Sequence, residues 1–247
     1  MMSSLSILIT GFFVTLLASI IQGLTGFGFA LVSGSIMIIF LSPKIAVPII
    51  ILCASLNNIL ILTKTKEWID LKRILPLILT GIIGVPFGTY LLVILRDNIS
   101  KMFIGSVITI FAVFFLIGFK RKIIHEKLAF IPVGFISGLL SGSTSMGGPP
   151  VILFFANQGV NKNVFRANIV AYFMILSLIT IFNFTLENLI TPVVIGYVLS
   201  FLPATFLGVI IGIRVSYRIE EKLFQNIALS IVIIAGIISI ISGIGIL

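Results

Sequence analysis

Long apolar stretches dominate this sequence from residue 5 to residue 247, and only short charged clusters separate them. A helix needs about 20 apolar residues to cross the hydrocarbon core of a bilayer. Only 9% of the 247 residues are charged, whereas 59% are hydrophobic. Soluble domains carry about 25% charged residues, so this chain has too few charges to cover a water-exposed surface. We therefore predict a multi-pass protein of the inner (cytoplasmic) membrane of the cell.

The apolar stretches are predicted to be helices rather than barrel strands. Strands of a membrane barrel alternate polar and apolar residues over about ten positions, whereas residues 47–62 and 227–241 show no such alternation. The net charge of +9 would suggest nucleic-acid binding in a soluble protein. In a membrane protein it reflects the charge of the loops, and we expect no nucleic-acid partner.

The chain contains an internal repeat. Gly142 follows Gly23 by 119 positions, and the same offset pairs Thr25 with Thr144 and Gly28 with Gly147. Later in each half, residues 84–88 match residues 208–212, and the matches occur in the same order. We predict one integral membrane domain made of two repeats, at residues 1–120 and 121–247.

Each half opens with an apolar stretch that a glycine-rich centre interrupts. Residues 5–41 would form a helix about 55 Å long, too long for one crossing of a core about 30 Å thick. The interruption at residues 22–28 therefore predicts a hairpin whose ends lie on the same side. In the second half the arms, at residues 128–140 and 150–156, are shorter, and we expect a hairpin that enters and leaves the membrane on one side.

Basic residues test this hairpin prediction. If both stretches are hairpins, three crossings follow in each half, the second half is inverted, and 13 of the 16 basic residues share one face. If each stretch crosses once, the basic residues divide eight against eight. Cytoplasmic loops carry the excess of Lys and Arg. We therefore predict an all-α integral membrane protein of two inverted-topology repeats. Each repeat is a broken helix hairpin plus three transmembrane helices, and both termini lie on the non-cytoplasmic side. The 13 residues are Lys64, Lys66, Lys72, Arg73, Lys120, Arg121, Lys122, Lys127, Lys162, Arg166, Arg214, Arg218 and Lys222.

The two interruptions are the candidate binding site. A helix that begins inside the membrane presents unpaired N–H groups and a partial positive charge, which suit an anion. Hydroxyl groups add donors, and glycine lets the backbone approach a ligand. Close helix packing is the alternative explanation for small residues in lipid. The predicted substrate-binding residues are Gln22, Gly23, Thr25, Gly26, Gly28, Ser143, Thr144, Ser145, Gly147, Gly148 and Pro149.

Polar residues outside the interruptions form a second set of candidates. Arg166 is predicted to attract or bind the anion, with a snorkelling arginine that only sets topology as the alternative. Asn57, Asn58, Asn168 and Tyr172 are predicted secondary contacts, although such groups also serve as hydrogen-bond partners between helices.

The sequence lacks the residues that cation binding, ATP hydrolysis and metal binding would need. All seven acidic residues lie in predicted loops or at helix ends, so no carboxylate is placed to bind a cation or relay protons at mid-membrane depth. Any coupled proton would then travel with the substrate as its conjugate acid. No phosphate-binding GxxxxGK[ST] motif and no metal-ligand cluster occurs, and we expect no cofactor and no metal.

The segments GLTGFGFA at residues 23–30 and GSTSMGGPPVILFF at residues 142–155 resemble the repeat signatures of the sulfite exporter TauE/SafE family. The segment at residues 165–167 strengthens the resemblance, which covers the whole chain. The resemblance implies a membrane permease for sulfite, sulfoacetate or other sulfur-containing or organic anions. It also implies that residues 22–28 and 143–150 surround the substrate, with Arg166 nearby.

Three functions remain to be compared. The first is a secondary transporter of a small anion such as sulfite, an organosulfonate or another organic anion. The second is an anion channel or uniporter with the same architecture. The third is an intramembrane enzyme, which is disfavoured because neither Ser143 nor Ser145 has a His or Lys at membrane depth to activate it. The lipid bilayer and the anion are the expected partners, and oligomerisation is compatible with the sequence.

Overall fold

The computed structural model describes residues 4–117, 126–156 and 162–216, which are helical throughout except for short connections. The prediction of an all-α membrane protein is confirmed for this part of the chain. The last helix of the second half, both chain termini and the basic segment at residues 120–122 lie outside the described residues. The helices are α1 (Ser4–Thr25), α2 (Phe29–Phe40), α3 (Pro43–Thr65), α4 (Leu71–Ile94), α5 (Asp97–Ile117), α6 (Glu126–Thr144), α7 (Gly148–Ala156), α8 (Lys162–Leu186) and α9 (Pro192–Ser216), with a 3₁₀ turn at Lys66–Trp68.

Five of these helical segments are long and apolar enough to cross a membrane. A stripe of exposed apolar side chains along α4 is positioned to face the lipid. Its members recur at intervals of three or four residues, so they lie on one face of the helix. The stripe consists of Leu71, Leu75, Leu79, Ile83, Phe87, Tyr90 and Ile94, each more than half exposed. The five segments are Leu5–Thr25, Pro43–Trp68, Leu71–Ile94, Asn163–Leu186 and Pro192–Ser216.

The two interruptions are shorter than the sequence predicts. In the first half only residues 26–28 leave the helix, and in the second half only residues 145–147 do. Gln22, Thr25 and Thr144, which we predicted within irregular backbone, are instead in the last turns of α1 and α6. Each broken stretch therefore has one long helix and one short helix, of 22 and 12 residues in the first half and 19 and 9 in the second.

The helices before and after the interruptions repeat in order, since α1 to α4 correspond to α6 to α9. Their contacts repeat as well. A Cβ atom built on Gly208 of α9 would lie 2.6 Å from the carbonyl oxygen of Leu16 in α1. The equivalent Cβ on Gly84 of α4 would overlap the carbonyl oxygen of Phe135 in α6. Leu16 and Phe135 are 119 positions apart, so the first helix of each half packs on the fourth helix of the other.

Gly23 and Gly142 belong to the same pair of contacts. A Cβ on Gly23 would lie 2.6 Å from the carbonyl oxygen of Val209, and one on Gly142 would overlap that of Val85. Small residues of this kind let two helices approach until their backbones touch. Close helix packing, the alternative explanation given above, therefore accounts for these two glycines.

We predict that Gly84→Ala destabilises the protein by about 1–3 kcal/mol, the usual cost of overpacking, because its methyl group has no room beside Phe135. Gly196→Ala in α9 is the matched control, since a Cβ there meets nothing within 4 Å. That control should raise stability by roughly 0.5–1 kcal/mol. Unfolding of the purified variants in detergent measures both values, and equal stabilities would contradict the packing described here.

Candidate functional site

Both interruptions are built by the same backbone turn. The N–H of Gly26 donates to the carbonyl of Gln22 at 2.7 Å, and the N–H of Ser145 donates to that of Ser141 at 2.9 Å. Gly26 and Ser145 both have left-handed backbone conformations, with φ of 85° and 59°. A left-handed residue just after the last turn is a common helix end. The 119-residue repeat is therefore visible in the hydrogen bonds of the site.

Threonine hydroxyl groups complete the two helix ends. Thr25 donates to the carbonyl of Ile21 at 2.8 Å, and Thr144 donates to that of Leu140 at 2.7 Å. Each hydroxyl oxygen also accepts a hydrogen bond of 3.1 Å from the backbone N–H two residues later. These contacts satisfy backbone groups that lipid could not satisfy. In this structure Thr25 and Thr144 are therefore capping residues.

The two interruptions line one cavity, which lies between the repeats. Of the predicted residues, it is lined by Gln22, Gly28, Asn58, Ser145, Gly147, Gly148 and Pro149. Its walls are related by the 119-residue offset, which pairs Gln22 with Ser141, Gly28 with Gly147, and Asn58 with Ser177. The cavity therefore lies where the two repeats meet.

The cavity is small and carries no charged side chain among the residues described around it. Its volume is about 60 Å³, whereas one water molecule needs roughly 10–15 Å³, so it suits a solute of a few heavy atoms. The first residues of α2 and α7 also line it. Each helix N-terminus contributes roughly half a positive charge, which makes the cavity favourable for an anion.

An amide cluster lies beside the first interruption. The Nδ2 group of Asn57 donates to Ser19 Oγ at 3.1 Å and to Gln22 Oε1 at 2.9 Å. Gln22 Nε2 donates to Asn58 Oδ1 at 2.8 Å and to the carbonyl of Ala54 at 3.4 Å. These bonds join α1 to α3. They occupy both ends of the Gln22 amide and the Oδ1 atom of Asn58.

Arg166 lies outside the lining of this cavity, although it is close to the first interruption. Its guanidinium group donates to the backbone carbonyl of Gly23 and, at 3.1 Å, to Ser216 Oγ. Arg166 therefore connects the start of α8 to the ends of α1 and α9. A charged group at the C-terminal end of α1 also compensates the partial negative charge of that helix end.

The remaining predicted residues also lie outside the cavity lining. Tyr172 donates to Ser137 Oγ at 2.9 Å, and Ser137 in turn donates to the carbonyl of Gly147. The Asn168 side chain accepts a 2.7 Å hydrogen bond from the backbone of Asp70 at the start of α4. Ser143 donates to the backbone of its own helix at 2.7 Å. These side chains hold helices and interruptions in place, and Asn57 contacts the lining residue Gln22 by a hydrogen bond.

Ser141 and Ser177 also line the cavity. In the sequence Ser141 begins the second glycine-rich segment and Ser177 is a polar residue inside an apolar helix, although neither is in the predicted set of site residues. The repeat offset contains the signal that identifies them, because adding 119 to Gln22 and Asn58 gives these two positions. Phe173 and Ile152, which form part of the apolar wall, have no comparable signal in the sequence.

We predict that Arg166→Gln lowers the free energy of unfolding by about 1.5–3 kcal/mol, the range for hydrogen bonds of charged groups. Arg214→Gln is the matched control, because Arg214 is exposed in the last turn of α9 and exposed substitutions usually stay within about 0.5 kcal/mol. Unfolding in detergent measures the difference. Equal effects of the two substitutions would mean that the contacts of Arg166 do not stabilise the bundle.

Comparison with known proteins gives one match. No curated protein and no solved structure matches the chain. A family model described as "Sulfite exporter TauE/SafE" matches residues 11–239 of the 247, which include both interruptions and the amide cluster. The match confirms the resemblance seen in the two glycine-rich segments. The chain therefore belongs to the sulfite exporter TauE/SafE family.

Proposed function

We propose that the protein is a secondary transporter of a small anion, such as sulfite, an organosulfonate or another small organic anion. Membership of a family of membrane-embedded exporters supports a role in transport rather than in catalysis. The finer proposal is that the anion passes through the cavity between the two helix interruptions, across the inner membrane of the cell.

One observation carries this proposal, namely that two helix N-termini meet at one uncharged cavity. The starts of α2 and α7 both line it, and together they supply about one unit of positive charge. Irregular backbone at membrane depth is tolerated where it is buried in protein or lines a water-filled space. A site without a lysine or arginine binds an anion without an ion pair, which favours release as well as binding.

Contacts at the helix ends support an inverted arrangement of the two halves. Arg166 links the start of α8 to the end of α1, and Asn168, also near the start of α8, contacts Asp70 at the start of α4. The start of α4 is thus close to the end of α1. Because α6 runs beside α4 in the same direction, with Gly134 near Leu77 and Gly142 near Val85, α1 and α6 run in opposite directions.

Basic residues support the orientation of this arrangement. Among the described residues, more Lys and Arg lie at the bundle end where α1 finishes than at the opposite end, and cytoplasmic loops carry the excess of Lys and Arg. We therefore propose that α1 runs towards the cytoplasm. Its N-terminal end would then lie on the non-cytoplasmic side. At the cytoplasmic end are Lys64, Lys66, Lys72, Arg73, Lys162, Arg166 and Arg214, and at the opposite end are Lys44, Arg96 and Lys101.

An anion channel is the second candidate, because it could use the same cavity. A transporter built from inverted repeats exposes its site to each side in turn, so external unlabelled anion should accelerate the exchange of labelled anion. A channel would not show this counterflow. The described residues that line the cavity include no carboxylate, which favours a coupled proton that travels on the substrate itself.

The proposed topology predicts which engineered cysteines react from each side of the membrane. Cysteines replacing Glu67 and Arg214 should react only from the cytoplasm, whereas those replacing Arg96 and Glu187 should react with a membrane-impermeant maleimide added to intact cells. All four residues are exposed, and the native Cys53 is buried, which keeps the background low. Labelling of positions 96 and 214 from the same side would contradict the inversion.

We predict that Ala54→Phe abolishes transport, because Ala54 lines this small cavity and a phenyl ring at that position would obstruct it. Uptake of sulfite and of methanesulfonate into proteoliposomes measures the effect. Val113→Phe, on the exposed face of α5, adds bulk outside the cavity and should leave uptake unchanged. Undiminished uptake by a folded Ala54→Phe protein would show that the anion takes another route.

A further inference from the structure

The two halves of the cavity differ in the number of backbone donors that they present. In α2 the first helical hydrogen bond runs from Val32 to Gly28 at 3.1 Å. The N–H groups of Phe29, Ala30 and Leu31 therefore have no partner within the helix, and these three residues line the cavity. In α7 the corresponding positions are Gly148, Pro149 and Pro150, and proline has no N–H. The α2 end thus offers three donors where the α7 end offers one.

A side-chain donor lies on the same side as α2. Asn58 is only 2% exposed and lines the cavity. Its Oδ1 atom accepts from Gln22, but no described residue provides an acceptor for its Nδ2 group. The Nδ2 group of Asn58 is therefore available to donate a hydrogen bond to a ligand or to water in the cavity. Its counterpart in the other half, Ser177, donates its hydroxyl to the carbonyl of Met174 at 2.9 Å.

Gln22 has a different role from Asn58. Its Oε1 atom accepts from Asn57, and its Nε2 group donates to Asn58 and to the carbonyl of Ala54. Both ends of the Gln22 amide are therefore occupied within the protein. Because Gln22 holds the Oδ1 atom of Asn58, it directs the Nδ2 group of Asn58 away from itself, which makes Gln22 a positioning residue.

Electrostatics favours the same half of the cavity. The partial negative charge at the end of α1 is compensated by Arg166, which donates to Gly23. The counterpart of Arg166 in the first half, 119 positions earlier, is Val47. A valine has no charge, so it cannot compensate the partial negative charge at the end of α6. The second half contributes three serines to the lining, and the hydroxyl of each is already hydrogen-bonded within the protein: Ser141 to Thr180, Ser145 to the carbonyl of Val47 and Ser177 to that of Met174.

We infer that the anion binds off the axis that relates the two repeats, at the N-terminus of α2. The backbone N–H groups of Phe29, Ala30 and Leu31 and the Nδ2 group of Asn58 donate hydrogen bonds to it. Gln22 orients Asn58, and the second half offers fewer free donors, because its serine hydroxyls are hydrogen-bonded within the protein and two of its three N-terminal positions are proline. This inference rests on the proposed function, since it assigns roles within the same cavity.

The test compares substitutions at Asn58 and at its counterpart in the other half, Ser177. In proteoliposomes of the full chain, Asn58→Ser gives the first half the residue type of the second. It should raise the half-saturating concentration of sulfite or methanesulfonate about tenfold or more, as expected for loss of a hydrogen bond to a charged group. Ser177→Ala should change this concentration by less than about twofold, because Ser177 already donates to its own helix. Equal effects at the two positions would place the anion on the axis and overturn the inference.

A second variant tests the role of Gln22. Gln22→Met retains the size of the side chain but removes its contacts with Asn58, so it should raise the half-saturating concentration with little change in the maximal rate. In an Asn58→Ser background the same substitution should have no further effect, because the group that it orients is gone. Additive effects would mean that Gln22 acts independently of Asn58.

The outcomes also separate this inference from the proposed function. If the wild-type protein moves neither sulfite nor methanesulfonate, the proposed transport of these anions is wrong and the assigned site fails with it. If the wild-type protein moves either anion and Asn58→Ser behaves as wild type, the off-axis site alone is wrong. A melting temperature measured for each variant in detergent identifies any loss of folding.

Discussion

Every break in a membrane helix must satisfy its backbone polar groups without help from lipid, and this constraint shapes the centre of the molecule. At the ends of α1 and α6 the requirement is met inside the protein, by a left-handed residue and by the hydroxyl groups of Thr25 and Thr144. At the start of α2 the first backbone N–H groups have no partner within the helix, and their residues line a cavity. This difference supports the proposal that the ends of α1 and α6 are structural, whereas the start of α2 meets the ligand.

Close packing between the repeats holds these ends in position. The first helix of each half lies against the fourth helix of the other, with glycines such as Gly84 and Gly208 where the backbones touch. Attraction between apolar surfaces gives little preference for one arrangement in lipid, so this fit of small residues is a principal source of specificity. A change at one contact would shift an interruption as well as a helix, which couples the packing of the bundle to the shape of the cavity.

The repeated framework carries an asymmetric set of side chains. Asn58 and Arg166 have Ser177 and Val47 as their counterparts at an offset of 119, and Pro149 and Pro150 remove donors from only one of the two short arms. A site on a symmetry axis would be equally accessible to both repeats. The off-axis site that we propose would let one repeat hold the anion through its free donors while the other, with fewer free donors, holds it less tightly.

The sequence by itself determined the helices, the positions of the two interruptions and the family, because apolar length, glycine clusters and a regular offset are local or additive signals. It also supplied Gly28, Ser145 and Gly147 as cavity residues. Only the tertiary structure decided which direction each side chain faces. Gln22 and Gly23 are neighbours, yet one contacts the amides of α3 and the other the backbone of α9. Consecutive helical residues point about 100° apart, so their roles depend on which helix packs against each face, and that choice involves residues more than a hundred positions away.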